Sequence, residues 1–182
     1  MRLLGLLFLV LIGNTLAADF PSAASIYLVD AQQDEFRVGS VTYTDTEDGK
    51  TLVKLEMDTD QFTDHFLSMR PFRCIEGETE WFCYLQYPYE LRSIITASDL
   101  SDLEYQLLFI LKQPSEFGID AWNGLYYELE VEADGSISGK LMEGDLNVLQ
   151  VPPSEKYAKP IDLSEFIPAD TSRRLYPTLR IY

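Results

Sequence analysis

The chain has 182 residues, with 30 acidic against 14 basic side chains, one histidine and two cysteines. Its formal charge of −16 excludes an electrostatic nucleic-acid binder, because Lys and Arg must displace counterions from phosphates. Two cysteines and one histidine also fall short of the four ligands of a structural zinc site.

The first element in chain order is an export signal. Arg2 supplies a positive charge, residues 3–12 form an apolar run, and Gly13 and Asn14 break it. Thr15 and Ala17 put small residues three and one positions before a cut between Ala17 and Ala18. The run is about half of the roughly 20 apolar residues that span a bilayer, which argues against a retained anchor. No cysteine follows the cut, so lipid attachment is not expected. The expectation is a signal peptide over 1–17, then a single globular domain over 18–182, periplasmic or secreted, with no stable membrane insertion. Removing the signal leaves 13 basic against 30 acidic side chains, a formal charge of −17.

Residues 25–29 read as a short strand. Residues 36–44 and 51–57 are β-rich runs around a polar turn containing Asp48-Gly49, a hairpin signal because Gly tolerates positive φ. Phe62, Phe66 and Met69 fit a short helix over 60–69. Cys74 and Cys83 are expected to form a disulfide, since export leads to an oxidising compartment and the spacing is not C-x-x-C. Between them, Glu76-Gly77-Glu78 reads as a turn. Residues 81–86 and 91–96 are strand candidates split by Tyr87-Pro88-Tyr89.

A helix is expected over 99–112. Ser101 and Glu104 have capping-box spacing, Leu100, Leu103, Leu107 and Leu111 share a face, and Pro114 follows. The apolar run 107–111 fits a buried strand equally well. A second hairpin spans 125–142 around Asp134-Gly135. In its first strand Leu125, Tyr127, Leu129 and Val131 alternate with Tyr126, Glu128, Glu130 and Glu132, which puts one face on a core and one in water. From about residue 151, Pro152, Pro153, Pro160 and Pro168 mark a proline-rich tail closing in a short edge strand over 178–182. Residues 114–155 hold nine acids and one base, whereas 156–182 hold five bases, so the tail is expected to fold back onto the acidic middle. The fold class is mainly β (α+β): an antiparallel sheet able to curl into a barrel or sandwich, with one or two packed helices.

Catalytic chemistry is sparse. The sole histidine, His65, lacks a nucleophile elbow; the nearest look-alike, Gly135-Ser136-Ile137-Ser138-Gly139, has Ile at its centre. Asp58, Asp60 and Asp64 resemble a calcium loop, but Thr63 and Met69 stand where its Gly and Glu belong. No catalytic residue, metal ligand or cofactor is assigned. The compositional outlier is the segment 65–92, in which arginines interleave with aromatics. It yields a candidate binding surface of Arg70, Arg73, Trp81, Tyr84, Tyr87, Tyr89 and Arg92. The competing reading places the aromatics in the core and pairs each Arg with an acid such as Glu76, Glu78, Glu80 or Glu90.

The functional expectation is a non-catalytic binding or interaction module of the cell envelope or extracellular space, taking a protein or small ligand. A small hydrolase built on a cryptic carboxylate pair is the alternative, and a small outer-membrane β-barrel is the third.

Overall fold

The computed structural model describes residues 20–69 and 71–182. The expected signal over 1–17 and Arg70 lie outside the described residues. In chain order the elements are β1 (Ala23–Val29), β2 (Glu35–Asp45), β3 (Thr51–Met57), β4 (Thr63–His65), β5 (Phe72–Glu76), β6 (Trp81–Leu85) and β7 (Ile94–Ile95). They continue with α1 (Ser101–Glu104), β8 (Leu108–Lys112), β9 (Gly124–Val131), β10 (Ile137–Gly144), β11 (Ile167–Pro168) and β12 (Thr178–Ile181).

These strands form one antiparallel sheet in the order β4-β5-β6-β8-β9-β10-β12-β1-β2-β3-β7, with β11 beside β10. The terminal strands β4 and β7 do not pair, so the sheet does not close. It does curl. Six strands separate β6 from β3 along the sheet, yet Tyr84 of β6 and Leu55 of β3 line the same cleft. The mainly β, antiparallel expectation holds, with curling but without closure.

Two hairpins sit where the turn chemistry places them. β2 pairs with β3, and β9 with β10. Gly49 and Gly135 take φ of 74° and 86°, a left-handed geometry that costs glycine little. Inside the curl lies the main core, including Ile26, Val41, Val53, Phe82, Phe109, Tyr127 and Leu179. A second cluster covers the outer face of β8 and β9, where Leu108, Ile110 and Tyr126 meet Leu146, Leu149, Ile161 and Phe166. The proline-containing segment after β10 is therefore a second layer on the sheet. Tyr126 is buried under it, so the outer face of β9 turns to water only from Glu128 onward.

This layering explains the corrections. The helix expected over 99–112 shrinks to α1, and of the two readings of 107–111 the buried strand is the one that holds, as β8 over 108–112. The run is apolar throughout because both its faces are buried: Phe109 inward, Leu108 and Ile110 outward. The capping box does not form. Leu100 is the N-cap, Ser101 donates to the Asp99 carboxylate, and Glu104 turns inward.

The helix expected over 60–69 is instead a 3-10 turn, Thr59–Gln61, followed by β4. Phe62 enters the core, but Phe66 and Met69 are 78% and 99% exposed, so no shared apolar face exists to bury a helix. The strand expected over 91–96 narrows to Ile94–Ile95. The final strand is central: β12 lies between β10 and β1. The basic tail does pair internally, through Lys156–Glu90, Lys159–Asp102, Arg174–Glu80, Arg174–Glu143 and Arg180–Glu35. Of these acids only Glu143 belongs to the acidic middle.

Candidate functional site: a cleft at the open side of the sheet

The two ends of the sheet are joined by short chain segments. β3 runs through the 3-10 turn at Thr59–Gln61 directly into β4, and 86–93 carries the chain from β6 to β7. Between these crossings lies a cleft of about 710 Å³. Leu55 and Met57 form one wall, Asp64, Phe72, Arg73 and Tyr84 the other, and Gln86, Tyr87, Tyr89, Leu91 and Ser93 one end.

Strand alternation decides which candidate residues reach it. On β6, Phe82 and Tyr84 pack inward and Trp81 and Cys83 point outward. On β5, Arg73 lies on the same side as Ile75, which is in the main core. Arg73, Tyr84, Tyr87 and Tyr89 thus come together at the cleft. Trp81 does not. It stacks on His65 with ring centroids 4.3 Å apart, and Lys112 Nζ sits 4.4 Å from its centroid on the next strand. Arg92 also lies outside the cleft, over the Tyr157 ring at 5.5 Å. Of the described candidates, Arg73, Tyr84, Tyr87 and Tyr89 therefore meet at the cleft, whereas Trp81 and Arg92 lie away from it.

The polar groups at the cleft are largely engaged. Arg73 Nε donates to Asp64 Oδ1 at 3.1 Å, and its Nη1 donates to the Thr59 hydroxyl. Tyr84 donates to the Gln106 carbonyl at 3.2 Å, and burial pushes its pKa up to about 12. Tyr87 and Tyr89 donate to the carbonyls of Ala158 and Leu149, both at 2.7 Å. These two bonds pin the 86–93 segment to the outer layer. The cleft presents aromatic and aliphatic side chains interleaved with polar ones, framed by tyrosine hydroxyls that already donate to backbone carbonyls.

The expected disulfide is present. Cys74 and Cys83 are directly opposed on β5 and β6 and bridged at 2.07 Å. It clasps the cleft's far wall from outside.

Carboxylates gather elsewhere. A depression of about 410 Å³ is bordered by Asp99, Ser101, Glu104, Glu128 and Glu130. Burial raises the Glu104 pKa, while the hydrogen bond from Ser101 holds Asp99 below its usual value. Split carboxylates are what acid–base catalysis uses. Here, however, both Glu104 oxygens are occupied, one by the Tyr126 hydroxyl and one by the Leu129 N–H at 2.8 Å. Asp58 and Asp64 each pair with an arginine, Arg37 and Arg73. Among the described residues no cluster of three or more His, Cys, Asp or Glu is placed to hold a metal ion. No helix among them is long and apolar enough to cross a membrane.

Leu55, Met57 and Gln106 escaped the sequence reading. Leu55 and Met57 look like any inward positions of a strand, and only the curl of the sheet brings them opposite Tyr84. No protein family, curated protein or solved structure matches this chain.

Proposed function

We propose that this protein is an exported, non-catalytic binding module that takes its ligand into the cleft between β3 and β6. The observation that carries this reading is the cleft itself. It is of ligand size, walled by aromatic and aliphatic side chains with polar groups between them, and its Arg73–Asp64 ion pair is satisfied internally. Export rests on the signal pattern of residues 1–17 and accords with the Cys74–Cys83 bridge. The hydrolase alternative is weaker, because Glu104 already anchors Tyr126 and β9. The membrane-barrel alternative is disfavoured by the open sheet, since a spanning barrel must satisfy every edge.

The test is a thermal-shift screen of small molecules and peptides against the native chain and Gln86→Trp. Gln86 is exposed and lines the cleft, so Trp narrows the site without entering the core. A cleft ligand at about 100-fold its Kd raises the native Tm by roughly 5–10 °C and leaves the variant unshifted. Ligands that shift both proteins equally, or no stabilising ligand at all, would overturn the proposal.

A further inference from the structure

Resting on that reading, we infer that the occupant of the cleft is an extended peptide segment of a partner protein, added as a strand to the free edge of β3. The neighbouring strand β7 covers β3 only at Thr51 and Leu52. One further bond, Val53 N–H to the Ser93 carbonyl at 2.8 Å, marks where that cover ends. Among the described residues, no strand lies beside 54–57 on this side.

Backbone alternation fixes what the free edge offers. The Val53 N–H points away from β2, so Leu55 and Met57, two and four residues on, direct their N–H and C=O groups the same way. Their side chains line the cleft. Arg73 and Tyr84 already have partners, which leaves main-chain groups as the recognition handle.

The dimensions agree. Strand spacing of about 4.8 Å, a rise of about 3.3 Å and a sheet thickness of about 10 Å give roughly 160 Å³ per strand residue. A cleft of about 710 Å³ then holds four to five residues, and the uncovered stretch of β3 is 54–57. The chemistry of the peptide follows. Alternate side chains enter between Leu55 and Tyr84 and are apolar, and the intervening ones face water. The protein's charge of −16 repels acidic segments and favours neutral or basic ones.

The experiment is selection of displayed linear ten-residue peptides on the native chain, with counter-selection on Gln86→Trp, followed by an N-methyl scan of the synthetic winners. Strand addition predicts apolar residues at every second position. It also predicts a two-residue period in the scan: Kd weakens roughly ten-fold where an inward N–H is removed and under two-fold at the positions between. Winners whose N-methyl scan lacks that period overturn strand addition and leave the cleft-binding reading standing. The same holds if only small molecules bind in a cleft-dependent way. If neither peptides nor small molecules bind, both readings fail.

Discussion

Arg174 and Glu80 offer the sharpest test of how the cleft's far wall is held. Glu80, at the turn between β5 and β6, is only 5% exposed. Its carboxylate accepts the Leu175 N–H and receives Arg174 Nη1 at 3.2 Å. Arg174 also grips Glu143 in a bidentate pair at 2.6 and 2.9 Å. Arg174→Met keeps the aliphatic stem but leaves Glu80 buried without a counter-charge. We expect a loss of about 3 kcal/mol, the usual cost of stranding one member of a buried pair. For a domain of this size that lowers Tm by roughly 6–12 °C. Glu80→Gln still accepts the Leu175 N–H and keeps the Arg174–Glu143 pair, so it costs only about 1 kcal/mol. The double variant, with no stranded charge, is expected to lose about 2 kcal/mol, a coupling of about 2 kcal/mol. Urea unfolding of all four proteins at neutral pH, with unchanged m-values, measures the cycle. An Arg174→Met cost below about 1 kcal/mol, or an additive cycle, would show that Glu80 is solvated and the reasoning wrong.

Two further outcomes are expected. Replacing Cys74 and Cys83 together with Ala removes the clasp across β5 and β6, and should lower stability by about 2–3 kcal/mol on the chain-entropy account; denaturant midpoints equal to those of the native chain would count against it. Glu104 tests burial through pH. Its folded pKa is raised above the ordinary 4.5, chiefly by desolvation, so the folded state holds this proton more tightly than the unfolded chain. The stabilisation this gives is complete below 4.5 and is lost as pH rises through the folded value. Glu104→Gln has no such proton to lose, so its stability should gain on the native chain from pH 4 to pH 7, and parallel pH curves would refute the assignment.

Local chemistry made the hairpins legible in the sequence: Asp48-Gly49 and Asp134-Gly135 sit between alternating runs, and both glycines adopt the left-handed conformation. The disulfide was legible because the signal-like pattern of residues 1–17 and an even cysteine count both point to it. The failures share one cause. Helical spacing of Leu100, Leu103, Leu107 and Leu111 mimicked an amphipathic face, whereas tertiary burial on two sides makes 108–112 a strand. The candidate surface fared unevenly for a similar reason. Composition grouped Trp81 with Tyr84, but three positions along a strand put them on opposite faces. The opposite wall, Leu55 and Met57, lies across a sheet whose curvature no local pattern encodes.

The central place of β12 bears on how the chain folds. Among the described residues, β12 is the sole link between β10 and β1 along the hydrogen-bonded sheet, so it joins β1–β3 to the β8–β10 half. Val29 must find Thr178 and Lys140 must find the same residue from the other side. Such pairings are of high contact order, and the loop-closure entropy is met before any hydrogen bond compensates it. Hairpin β2–β3 and hairpin β9–β10 can form early from local contacts, but they remain separate until 178–181 are delivered. Folding should therefore be slow relative to helical proteins of similar length. Until β12 docks, the facing edges of β1 and β10 stay bare, which makes that interval the one most exposed to aggregation.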